Sequence, residues 1–186
     1  MKNLLIAAIA ALSLTAFAAP AAAQTAVRVG TDISNLNNGA DFAGSIDVSG
    51  VDLFNGVTAG VEARSEFDRG VTELTARAGP AFSVGRLTIS PTVQLGLANI
   101  ANDGRGVFGT FGGGVNARFA LTSRLTAIGS ATYRQAFDGR DRYRVAEYTA
   151  GGEYKLTDKF AVDARYFNRD GTLDSSGVGL GATFRF

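Results

Sequence analysis

The sequence predicts an all-β protein: a closed, antiparallel, up-and-down transmembrane β-barrel of ten strands. Three observations lead there. Apolar and polar residues alternate with a period of two in segment after segment, as strands with two unlike faces require. Within those segments the apolar rows carry no Asp, Glu, Lys or Arg. Tight turns alternate with longer, more charged connections along the chain, which suits short turns on one side of a membrane and loops on the other.

The chain begins with a basic Met1 to Asn3, an apolar run from Leu4 to Phe17, and a small-residue stretch ending Ala21-Ala-Ala23. This order is that of a secretory signal peptide, with cleavage expected between Ala23 and Gln24. Residues 1–23 are therefore assigned to export and 24–186 to one barrel domain. No second long apolar run follows, so a mature chain in a membrane must cross it as strands.

The first two strands are read around Val27, Val29, Thr31 and Ile33, then Phe42, Gly44, Ile46 and Val48. The third carries Val57, Ala59, Val61 and Ala63 outward, the fourth Leu74, Ala76, Ala78, Pro80 and Phe82, the fifth Leu87 through Leu97 on odd numbers. Strands six to nine follow around Val107–Leu121, Leu125–Tyr133, Ala146–Leu156 and Phe160–Tyr166. The tenth is the clearest: Val178, Leu180, Ala182, Phe184 and Phe186 alternate with Gly177, Gly179, Gly181, Thr183 and Arg185. Strands one and two have the least distinct ends, so an eight-stranded barrel with residues 24–53 as an extension is the alternative. Phe67, Tyr133, Phe137, Tyr154, Phe160 and Tyr166 fall near strand ends on the apolar side, where interfacial girdles sit.

Composition excludes several chemistries. Of 186 residues none is Cys and none is His, and the net charge is +1. There is no thiolate nucleophile, no disulfide framework, and no imidazole base or ligand. An enzyme is not expected, nor a cofactor, a metal or a nucleic-acid partner. The Asp-Gly segments at Asp138 and Asp170 lack the spacing of a calcium loop and read as charged turns.

With these residues in view, the chain resembles the small bacterial outer-membrane β-barrel proteins grouped as porin-family, opacity-type or OmpX/OmpA-like barrels. Gly181-Ala-Thr-Phe184-Arg-Phe186 is similar to their carboxy-terminal insertion signal, and Gly60-Val-Glu-Ala63 to their third strand. The resemblance implies an outer-membrane location, contact with outer-membrane lipids and lipopolysaccharide, and delivery by the barrel-assembly machinery through Gly181, Phe184 and Phe186. A monomer is expected. The loop residues Arg69, Arg105, Arg140, Arg142 and Arg144 are the candidates for lipopolysaccharide phosphates.

The candidate site is a charge network on the inward rows. Its acids are Asp32, Asp47, Glu62, Glu66, Glu73, Glu147, Glu153 and Asp163; its bases are Arg28, Arg64, Arg77, Arg118, Arg134, Lys155, Arg165 and Arg185. Such a set either frames a charged constriction or fills a narrow barrel as mutually neutralising pairs. A barrel of about ten strands favours the second, since about eight are already filled by side chains. The functional expectation is a structural or porin-like envelope protein with at most a narrow channel for small solutes. The alternative is a surface interaction protein acting through its loops.

Overall fold

The computed structural model describes residues 25–35, 40–54, 56–101, 106–137 and 143–186. The export segment expected at 1–23 lies outside them, as do Arg105, Arg140 and Arg142. Eleven strands form among the described residues: β1 Ala26–Ser34, β2 Asp41–Phe54, β3 Val57–Glu66, β4 Val71–Pro80, β5 Phe82–Val84, β6 Leu87–Ile100, β7 Val107–Ala120, β8 Leu125–Ala136, β9 Arg144–Lys155, β10 Phe160–Gly171 and β11 Ser175–Arg185. Neighbours in the chain pair antiparallel except β4 and β5, which both pair with β6, and β1 pairs with β11 from Ala26↔Arg185 to Ser34↔Gly177. That last pairing closes the wall. A closed wall leaves no row of unpaired amides facing an apolar medium.

β4 and β5 are one stave in two pieces, so the barrel has ten staves. The sequence reading ran this stave unbroken to Phe82. The ladder to β6 stops at Ala78↔Val93 and resumes at Phe82↔Ile89 in the same register, which sets Pro80 opposite Pro91. Neither proline has an N–H to donate. Gly79 lies so close to the Pro91 carbonyl that a Cβ there would overlap it. The eight-stranded alternative does not form: β1 and β2 pair along nine residues each and complete the ring.

Two local devices set the wall's shape. In β2 the register slips between Val48 and Val51, where Gly50 has φ 77°. The extra residue is a β-bulge, and Gly accepts the left-handed backbone it requires. Between β5 and β6 the chain reverses through Gly85 and Arg86, with Gly85 at φ 60°. This is the position that a type II′ hairpin turn gives to glycine.

The alternation sorts residues as the sequence suggests. Val93, Leu95, Leu97, Val107, Leu180 and Phe184 project outward and are exposed. The six aromatics expected in girdles are exposed as well. The buried charged residues lie inside the ring and include Asp32, Arg64, Glu66, Glu73, Arg134, Glu153, Asp163 and Arg169. A soluble sandwich would reverse this arrangement, because burying ions is costly and exposing a belt of Leu, Val and Phe to water is unfavourable. In hydrocarbon the same belt is the stable face.

Candidate functional site: the lumen

The lumen is best described from the end where the longer loops lie, here the loop rim, to the end where the tight turns and both strand termini lie, the turn rim. Inside the loop rim the inward rows are not polar. Val71 of β4, Ala98 of β6, Ala136 of β8, Tyr143 and Val145 at the start of β9, and Leu173 between β10 and β11 pack together. Ile100 and Phe108 pack against them, and Phe108 meets Tyr143 edge to face with ring centroids 5.4 Å apart. This apolar layer corrects the expectation of an inward face made only of small and polar residues. Its members lie at or beyond strand ends, where the alternation loses its partner rows and the sequence pattern thins out.

Directly beneath the layer sits Arg169 of β10, with a side chain only 1% exposed. Its Nη1 pairs with Glu66 Oε1 at 2.5 Å, its Nη2 with Glu73 Oε2 at 3.0 Å, and its Nε with Glu147. Arg134 pairs with Glu73 at 3.3 Å and donates to Thr75 Oγ1 at 2.8 Å. The Tyr143 hydroxyl donates to Glu73, tying the apolar layer to the ionic one. Two staves round, on β1, Asp32 accepts from both Arg64 and Arg165, and the Arg64 guanidinium lies 5.6 Å from the centre of the Phe167 ring. Each buried carboxylate therefore meets at least one guanidinium, as a buried charge must.

Nearer the turn rim, Arg28 grips Asp163 with two hydrogen bonds of 2.8 and 2.7 Å. This two-pronged geometry is the strongest that Arg and a carboxylate make. Arg77 pairs with Asp47 and, at 3.6 Å, with Glu62. At the mouth Arg118 and Arg185 both reach Glu153 Oε1, at 2.7 and 2.5 Å. Lys155 departs from the expected network: its ammonium pairs at 2.7 Å with Asp158, in the exposed turn three residues on.

Of the expected network residues, Arg28, Asp32, Asp47, Glu62, Arg64, Glu66, Glu73, Arg77, Arg118, Arg134, Glu147, Glu153, Asp163, Arg165 and Arg185 have partners inside the lumen. The sequence reading missed Arg169 and Tyr143. Arg169 stands four residues past Arg165, on the same inward row, and would have been found by extending that strand two periods of the alternation. Tyr143 precedes β9 and carried no such signal. At the other terminus, Phe184 and Phe186 face outward with rings 4.9 Å apart, while Gly181 lies inward beside Arg28 and Asp163.

Among the described residues, no group of three or more His, Cys, Asp or Glu could hold a metal ion. Every buried carboxylate with a guanidinium partner is an ion-pair member rather than a base poised to accept a proton.

No family model matches the sequence, and no curated protein matches it. Solved structures do match. The KdgM porin, in complex with disordered oligogalacturonate, aligns over 87% of this chain and 99% of its own with a TM-score of 0.52 and 9% identity. The NanC porin aligns over 87% and 100% with a TM-score of 0.53 and 11% identity. The fold is that of a small outer-membrane β-barrel. A bacterial polysaccharide outer-membrane secretin also aligns, over 86% of this chain and 65% of its own, with a TM-score of 0.52 and 15% identity. The chain spans 56% of the length of a loop-deletion mutant of OmpT, an outer membrane protein of Vibrio cholerae, with a TM-score of 0.46 and 16% identity.

Proposed function

We propose that this chain is an exported bacterial outer-membrane barrel whose role is structural or porin-like, with at most a narrow route for small solutes. The observation that carries this reading is the double seal in the loop half of the lumen. An apolar layer and an Arg–Glu cluster, both buried, lie in series across it. The outward apolar belt supports insertion in lipid. The short turns and both strand termini then lie on the periplasmic side, with the longer loops outside. Gly181, Phe184 and Phe186 act as the address read by the assembly machinery, and outer-membrane lipids and lipopolysaccharide surround the wall. The absence of His and Cys supports a role without catalysis.

Planar bilayers test the seal. The purified barrel is expected to give small, weakly selective current steps or none. Large, stable steps would contradict it. Fractionation with gel mobility before and after boiling tests the location: a folded barrel in the outer-membrane fraction shifts on boiling. Recovery as a soluble, non-shifting protein would sink the proposal.

A further inference from the structure

The turn-side mouth is built differently from the rest of the lumen. Two guanidiniums, Arg118 and Arg185, share one oxygen of one carboxylate, Glu153 Oε1. One carboxylate cannot neutralise two cations, so a positive charge is left over. Glu153 itself is only 10% exposed, and Arg185 16%, whereas Arg118 is 47% exposed and open to water. The next acid inward, Asp163, is already held by Arg28. Around the same sector stand Arg86, Arg124, Lys155 and Lys159, against a single further acid, Asp158. The turn rim of this sector thus carries six cationic residues against two acidic ones. Thr126, which pairs across the sheet with Glu153, and Thr88, which pairs with Arg118, add hydroxyls to the same inward rows.

We infer that this mouth is an oxyanion site of the phosphate class, seating a phosphate group between Arg118 and Arg185. The planar guanidinium fork matches phosphate geometry, and partial burial beneath a low-dielectric wall strengthens the attraction. The ring of outer cations raises the local concentration of anions. A free ion entering from the turn side and an anionic lipid headgroup at the rim both present this group, and the chemistry of recognition is the same. The site lies on the turn side of the sealed layer. A failure of this inference leaves the seal standing, and a conducting barrel leaves this site standing.

The test uses the full-length mature barrel folded in zwitterionic detergent, with the boiling shift as the control for fold. Phosphorus NMR follows a titration with inorganic phosphate. Saturable, salt-sensitive binding is expected, weakened about tenfold in Arg118→Gln, the scale of one lost charge-assisted hydrogen bond. Arg118→Lys should keep most of it. Glu153→Gln separates a binding role from a structural one: removing the shared carboxylate frees both guanidiniums, so affinity rises several-fold. A parallel arm uses vesicles of phosphatidylcholine alone and with phosphatidylglycerol. Headgroup-dependent broadening that is lost in Arg118→Gln, without saturation by free phosphate, assigns the site to lipid. Saturation by neither probe, or weaker phosphate binding in a folded Glu153→Gln barrel, would overturn the inference.

Discussion

Arg169 and Arg118 are both arginines on inward rows of the same barrel, yet one side chain is 1% exposed and the other 47%. Arg169 pairs with three carboxylates beneath an apolar lid; Arg118, open to water, shares one carboxylate with a second arginine. The same residue type therefore does opposite things in the two halves of the lumen. In the loop half, charge is desolvated and locked, so removing one partner strands the others. At the turn-side mouth, the Arg118 charge remains hydrated and its pairing contributes little to stability. The contrast shows that counting inward charges does not reveal whether they fill a lumen or line it; the apolar residues above them decide.

The largest expected effect is at the hub. Arg169→Met leaves Glu66, Glu73 and Glu147 without their common partner and should cost about 3–5 kcal/mol, as a broken buried pair does. Urea unfolding of the refolded barrel measures it, and a loss under about 1 kcal/mol would place the hub with ordinary surface pairs. Next comes the lid. Leu173→Ala removes a buried apolar side chain and should cost about 2–3 kcal/mol, while current steps in planar bilayers become more frequent than in the parent. Unchanged conductance despite the lost stability would mean that the ionic layer alone seals the lumen. Third, Arg118→Gln should change unfolding by less than about 1 kcal/mol in the same assay; a larger loss would erase the contrast between the two halves. The smallest effect belongs to the Lys155–Asp158 pair. The Lys155 ammonium, hydrogen-bonded to the exposed Asp158 carboxyl, holds that carboxyl below its usual range. A depressed carboxyl stabilises the fold above its ordinary range and loses that contribution as pH falls through the folded value. Asp158→Asn should therefore flatten the acid side of the stability profile only slightly.

Much of the wall was legible in the sequence because lipid enforces a period of two with no tolerance for charge on one row. The ten staves, the outward Leu–Val–Phe belt and the inward placement of Arg28, Glu73 and Asp163 follow from that rule alone. What escaped it lies where the rule lapses. Val145 and Tyr143 stand at the loop-side start of β9, and Leu173 lies in a connection; none belongs to a long alternating run, so nothing marked them as an inward lid. Arg169 was hidden by a strand that ran further than its outward Tyr166 suggested. Lys155 obeyed the alternation but lies next to a turn, and a long flexible side chain there reaches the nearest exposed carboxylate instead of the lumen. Pro80 and Pro91 are visible as residues, but only the register reveals that they face each other.

That facing pair of prolines has a consequence for how the molecule sits in a bilayer. Beyond the gap, the β5–β6 hairpin carries Phe82 and Val84 onward, 58% and 78% exposed, as an apolar tongue tipped by Arg86. On the adjoining stave, β3 has already begun at Val57, opposite Pro80. The greasy outer surface is therefore deeper on one flank than on the next. A membrane of uniform thickness meets such a wall by thinning or by letting the barrel lean. Arg86 at the tip of the tongue donates to the Leu121 carbonyl of the next turn at 3.4 Å, which ties the projecting hairpin to the wall.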